Sequence, residues 1–246
     1  MDQTLRDKEI IVNHRLALEE HISWGKSARE ILLGMSDGII TTLAFVAGVT
    51  GVIHDNHIIL LTALAGISAG TISMFFSAYL SMKSQKDLFE NEIKRETREI
   101  DEVPEIERQE IREIYKKKGF KGADLDMIVD RITSDKDIWV RSMMEEELKL
   151  FPEDIGRPIV TASLIGLSYI IGSLIPISPF LLFQPTIALI LAIVTTILVM
   201  FGIGAIKARF SHKSWLKSGL ENTSVVMAAT LLCYAIGRVS GNFLNF

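Results

Sequence analysis

Residues 31–53 read ILLGMSDGIITTLAFVAGVTGVI, an apolar run that holds one charged side chain, Asp37. A helix of about 20 apolar residues covers a hydrocarbon core roughly 30 Å thick, and its backbone satisfies its own hydrogen bonds there. Four more stretches meet the same test: Ile58 to Met82, Pro158 to about Ile175, Pro185 to Ile206, and Leu220 to about Asn242. Glu221 and Arg238 sit near the ends of the last, where they must snorkel or pair. The run Ile175-Pro176-Ile177-Ser178-Pro179 removes two backbone donors and is expected to end the third span.

The charge lies elsewhere. Residues 83–157 carry 21 of the 30 Asp and Glu and 16 of the 26 Lys and Arg, so the net charge of −4 averages an apolar part and an acidic insert. No basic stripe with interleaved aromatics is present, which argues against nucleic-acid binding. The single cysteine, Cys233, lies in an apolar run and supports neither a disulfide framework nor a cysteine metal site. The polar first 20 residues have neither signal-peptide nor transit-peptide character, and without a targeting signal a prokaryotic plasma membrane is expected.

These patterns predict an all-α fold: an integral membrane bundle of five transmembrane helices with a three-helix domain inserted between spans 2 and 3. The expected divisions are an amphipathic segment over 1–30, spans 1 and 2 over 31–82, the insert over 83–157, and spans 3 to 5 over 158–246. Pro104 and the Gly119–Gly122 stretch divide the insert into helices near Lys83–Glu102, Glu105–Lys118 and Asp135–Leu150, with room for a short helix near Asp124–Thr133. Ile11, Leu16, Leu18 and Ile22 among charges suit a helix lying on the membrane surface.

Lys and Arg in short loops set orientation, because cytoplasmic loops carry the excess. Residues 207–219 hold Lys207, Arg209, Lys213 and Lys217, whereas His54 to His57 and Pro176 to Gln184 hold none. The N-terminus and the insert are therefore expected in the cytoplasm, and five spans leave the C-terminus outside. Gly34 with Gly38, and Gly66 with Gly70, are small residues four apart that permit close helix packing.

An ionisable residue inside a span is costly and by default a functional candidate. At 1.5 Å per residue Asp37 lies roughly 9 Å into the first span, and Met74 lies about 12 Å in from the same side on the second. A carboxylate with a thioether suits a borderline cation such as Fe²⁺ better than Mg²⁺ or Ca²⁺. The plainer readings are a helix cap beside Ser36 and Gly38 for Asp37, and packing for Met74.

In the insert, Glu96 and Glu99 are three apart, as are Glu107 and Glu110, so each pair projects from one helix face. Met143 and Glu147 are one turn apart, with Met144 on the adjoining flank. The alternative is a solvated face laced with Lys94, Arg95, Arg98, Arg108 and Arg112. His54 and His57 flank the first external turn, where a polar loop tip competes with weak cation binding. No Glu-x-x-His pairing, phosphate loop or nucleophilic serine motif occurs, so neither an enzyme nor a prosthetic group is expected.

Ser36-Asp37-Gly38-Ile39-Ile40, the stretch Ala44 to Val49, and Ala69-Gly70 through Ser73-Met74 to Ser84-Gln85 resemble the first two spans of the vacuolar iron transporter family. The likeness continues through Ala162-Ser163, Gly172 and Pro176, then Gly204 to Arg209, Ser218 to Glu221 and Gly237-Arg238. It covers most of the chain from about Glu30. The resemblance implies a homodimer of five-span subunits that exports Fe²⁺, and often Mn²⁺, from the cytosol in exchange for protons. It also implies a cytoplasmic metal-binding domain between spans 2 and 3. On this chain the family's membrane site falls on Asp37 and Met74. Its domain ligands fall on Glu96, Glu99, Glu107, Glu110, Met143, Met144 and Glu147, with Fe²⁺, Mn²⁺ or Zn²⁺ as the bound ion and substrate. Where many members carry Gly-Glu-Tyr after the methionine, this chain reads Ser77-Ala78-Tyr79, so one membrane carboxylate is missing. Two rival expectations are a membrane-anchored metal buffer or sensor without flux, and a carrier or channel for another solute.

Overall fold

The computed structural model describes residues 3–152, 157–210 and 214–244, with side chains over 27–152, 157–208 and 214–243. Helices follow one another along the chain: α1 Gln3–Thr50, α2 Asn56–Glu102, α3 Pro104–Lys117, α4 Gly122–Thr133, α5 Lys136–Ser142, α6 Pro158–Ile177, α7 Pro185–Phe210 and α8 Trp215–Leu244. A π-helical turn, Met143–Glu147, continues α5, and a 3₁₀ turn, Ser178–Leu181, continues α6. No strand occurs among the described residues.

Local chemistry sets several of these ends. Asp55 accepts hydrogen bonds from the backbone N–H of His57 at 2.7 Å and of Ile58 at 3.3 Å, which satisfies donors that the first turn of α2 leaves free. Asp135 does the same for Asp137 and Ile138 at the start of α5. Pro104 occupies the first turn of α3, where its missing N–H costs nothing. Gly119 and Gly122 have φ of +102° and +56°, which turns the chain between α3 and α4 in a region that side chains disfavour.

The chain forms two compact units, one from residues before Tyr79 and after Pro158, the other from Tyr79–Pro158. The first contains five segments long and apolar enough to cross a membrane: Ser27–Thr50, the apolar part of α2, Pro158–Leu181, Pro185–Ala208 and Trp215–Phe243. Its buried core is aliphatic, with Ile39, Leu43 and Val46 of α1 against Ile59, Ala63 and Ile67 of α2, joined by Phe180, Ala188, Ala192 and Val226.

Glycines let helices approach at backbone distance. A Cβ on Gly34 would lie 2.2 Å from the carbonyl oxygen of Ile165, one on Gly38 2.2 Å from that of Tyr169, and one on Gly172 2.2 Å from that of Met35. The Gly34 and Gly38 pair therefore packs α1 against α6. Gly66 meets the Phe45 ring, and Gly70 meets the Tyr169 hydroxyl.

Two expectations are modified, and a third lies outside the described side chains. The proline break does not end the third span at Ile175: Pro176 is buried inside α6, which runs to Ile177. One helical residue remains beyond it, and the chain continues as a 3₁₀ turn with Pro179 in its first turn, so little hydrogen bonding is lost. In the insert α4 is a full helix, so the Tyr79–Pro158 unit holds more helical pieces than the three expected. The backbone of α1 runs unbroken from Gln3 to Thr50, while the side chains of the expected amphipathic stretch Lys8–Lys26 lie outside the described ones.

The glycine contacts generate a paired prediction. Gly172→Leu drives a side chain into the Met35 backbone and lowers the stability of the detergent-solubilised protein by about 1–3 kcal/mol, the usual cost of overpacking. Gly202→Leu, where a Cβ meets nothing within 4 Å, leaves the thermal unfolding midpoint unchanged. Equal effects from the two would refute the packing account.

Candidate metal sites

In the membrane unit, Asp37 is half-buried on α1 and Met74 is half-buried on α2. The residue that links their surroundings was not singled out from the sequence. Tyr169 of α6 is 2% exposed. Its backbone oxygen abuts Gly38, the neighbour of Asp37, and its hydroxyl abuts Gly70, one turn before Met74. Thr41 is within hydrogen-bonding reach of that hydroxyl, and the Asp37 carboxylate is near enough to interact with it electrostatically. Ser173, one turn beyond Tyr169, donates a hydrogen bond to the Gly38 carbonyl at 3.2 Å. A tyrosine in the middle of an apolar span was the available signal, since a buried phenol needs a polar neighbour.

In the insert, the core is formed by Ile100 of α2, Ile111 of α3, Leu125, Val129 and Ile132 of α4, Trp139 of α5 and Met143. Glu96 lies four residues before Ile100, and Glu107 lies four before Ile111. Residues four apart share a helix face, so the helical register that buries the two isoleucines also turns the two carboxylates inward. Glu96 is 1% exposed and Glu107 4% exposed, and Oε2 of each is buried without a hydrogen-bond partner among the described residues. An unpartnered buried carboxylate oxygen is costly and calls for an explanation such as an ion.

The remaining expected acids gather around them. Burial raises Glu107 to about 7, helped by repulsion from Glu110, Glu96, Glu99 and Glu147. Glu147 also rises to about 7, through burial, repulsion from Glu110 and Glu96, and a hydrogen bond shared with Glu110. Solvent reaches the Glu147 side chain and screens it, so the shared hydrogen bond is the firmer cause there. Burial pushes Glu96 upward while the adjacent Arg95 opposes it. Glu99 and Glu110 are half-buried.

The two methionines differ. Met143 is fully buried within the aliphatic core beside Trp139, a packing position, whereas Met144 is 2% exposed and stands outside that core cluster. Both belong to the π-helical turn, closed by the Leu148 N–H donating to the Met143 carbonyl at 3.2 Å. Such turns recur at functional sites. Among the described residues, no three His, Cys, Asp or Glu side chains stand close enough to form a ready-made metal cage. The cluster brings acids together with unfilled oxygens and an excess of like charge. The expected partners Arg108 and Arg112 are instead paired with Asp130 and Asp126 on α4, away from the glutamates.

The VIT family model matches residues 28–238 of the chain. Vacuolar iron transporter 1 of Arabidopsis thaliana is 30% identical over 234 residues, covering 95% of this chain and 93% of the relative. Vacuolar iron transporter 1 of Oryza sativa subsp. japonica is 32% identical over 235 residues, with 95% and 93% covered. The vacuolar iron transporter of Toxoplasma gondii is 30% identical over 243 residues, with 94% and 80% covered.

The raised carboxyls generate a prediction. Because the folded Glu107 holds its proton more tightly than its ordinary value of 4.5 implies, its stabilising contribution is complete below pH 4.5 and is lost as pH rises through about 7. Without metal, the insert should be less stable at pH 8 than at pH 5, by about 1–3 kcal/mol from this residue. Glu107→Gln should remove that part of the dependence and protect the insert at pH 8. Hydrogen exchange of insert peptides in the intact protein, corrected for intrinsic rates, reads both effects, and an unchanged pH profile would contradict the assignment.

Proposed function

The chain belongs to the VIT family, and from that premise we propose that it transports a divalent transition metal, Fe²⁺ first and Mn²⁺ second, out of the cytosol in exchange for protons. The observation that carries this reading is the pair of buried, unpartnered carboxylate oxygens on Glu96 and Glu107 among neighbouring acids. Membrane helices of sufficient length and the names of the relatives support transport as the activity, and neither suggests an enzyme.

In this reading residues 83–157 are a cytoplasmic metal-binding domain. Glu96, Glu99, Glu107, Glu110 and Glu147 collect the cation, and Met144 adds a soft thioether that favours Fe²⁺ over Ca²⁺ or Mg²⁺. Met143 holds the core beneath them and is the weakest member of the expected ligand set. Carboxyls that are partly protonated near neutrality must release protons when they bind a cation, so uptake is favoured on the less acidic side of the membrane.

Asp37 and Met74 receive the ion within the membrane unit, and Tyr169 fixes the helix approach beside them. Ala78 stands where the resemblance to the family implies a glutamate, so in this reading proton exchange rests on the remaining carboxylates. Two copies are proposed to form a homodimer in the lipid bilayer. The orientation is the one that loop charges favour, with the N-terminus and insert in the cytoplasm. The relatives above are named for the vacuole, so the prokaryotic plasma membrane expected from the sequence has no support among them.

Proteoliposomes loaded with a metal-sensing dye test the reading. Wild-type protein should admit Fe²⁺ and Mn²⁺ faster when the metal-receiving lumen is acidic, with Zn²⁺ as the comparison ion. Asp37→Asn should abolish flux while leaving the elution profile of the purified protein unchanged. Wild-type flux through that variant would remove Asp37 from the pathway, and metal binding without any flux in wild type would make the protein a buffer or sensor.

A further inference from the structure

The carboxylate cluster already holds a cation of its own. The Arg95 guanidinium lies with Nη2 at 2.9 Å from Glu96 Oε1, Nη1 at 2.9 Å from Glu92 Oε2 and Nε at 3.5 Å from Glu99 Oε2. Its side chain is 42% exposed, whereas that of Glu96 is 2% exposed, so the arginine reaches in from solvent to a buried acid. Its charge also reaches Glu147. One positive charge nevertheless leaves the cluster unsatisfied: Glu96 Oε2 and Glu107 Oε2 remain without partners.

We propose that Arg95 is the resident counter-cation of this cluster: it occupies Glu96 and Glu99 when no metal is bound, and it lowers metal affinity by competing for their oxygens. This inference rests on reading the cluster as a metal acceptor, and it assigns to Arg95 the tuning of that acceptor. Arginine suits the task because its charge is permanent and its planar fork can span several carboxylates at once. Retreat is inexpensive because the side chain is already partly in water, and its contact with Glu92 gives it a second carboxylate when Glu96 and Glu99 turn to the ion. A transport site must release its ion as well as bind it. A competitor built into the same helix keeps binding shallow without removing any ligand.

The sign of the effect separates this role from a structural one. A merely structural arginine would, on removal, loosen the cluster and weaken metal binding; a competitor would, on removal, strengthen it. Calorimetric titration of Mn²⁺ into the intact, detergent-solubilised protein at pH 8 provides the readout. Arg95→Gln should bind Mn²⁺ on the order of tenfold more tightly, the scale expected when a charge-assisted hydrogen bond to a buried carboxylate no longer opposes the ion. Arg95→Lys, which keeps the charge but loses the fork, should fall between the two. Unchanged or weaker binding by folded Arg95→Gln overturns the proposal. Should that variant fail to fold, Glu92→Gln decides: it removes the second carboxylate, ties Arg95 to Glu96 and Glu99, and should weaken binding, so unchanged affinity overturns the proposal. Glu107→Gln separates the two levels of inference. If it binds Mn²⁺ as wild type does, the acceptor reading fails and the role of Arg95 fails with it. If it binds weakly while Arg95→Gln shows no gain, only the role of Arg95 falls.

Discussion

A buried carboxylate oxygen without a hydrogen bond is costly in a small helical unit, and Glu96 and Glu107 of the insert each carry one. Both are placed by the same device. Glu96 precedes Ile100 by one helical turn and Glu107 precedes Ile111 by one turn, so the packing of the isoleucines dictates where the acids point. The apolar core of Leu125, Val129, Ile132 and Trp139 thus acts as a template. Its stability holds acidic groups closer than their repulsion would allow in a flexible segment, and the cost appears as carboxyls that keep their protons up to about pH 7. In the proposed reading a divalent cation would relieve that cost.

The membrane unit meets a different constraint. Lipid tails are as apolar as the helix surfaces, so helices associate through close packing rather than through exclusion of water. Glycines at 34, 38 and 172 allow α1 and α6 to meet at backbone distance, and the Tyr169 hydroxyl then fits against Gly70 of α2. Asp37 and the turn before Met74 are brought beside one buried phenol by this contact. The small residues therefore also set where the neighbouring polar groups stand, because enlarging one would move the groups that follow it.

Much of the fold was legible in the sequence because its signals are of the strongest kind. Runs such as 31–53 and 185–206 are decided by length and apolarity alone, and structure and sequence agree on five spans. Local signals were less decisive. Pro176 reads as a terminator, yet near the end of a helix it forfeits so little hydrogen bonding that α6 passes through it. The sequence leaves room for only a short helix near Asp124–Thr133, and Leu125, Val129 and Ile132 make Gly122–Thr133 a full one by joining the insert core.

The sequence alone determined which residue types were available: a single acid in the first span, pairs of glutamates three apart, and adjacent methionines before Glu147. Periodicity along one helix establishes which residues share a face, because that depends only on residues near in sequence. Which faces meet depends on contacts between distant segments. Only the tertiary structure decided that Arg108 and Arg112 turn to the aspartates of α4, that Met143 belongs to the core, and that Tyr169 stands beside Gly38 and Gly70.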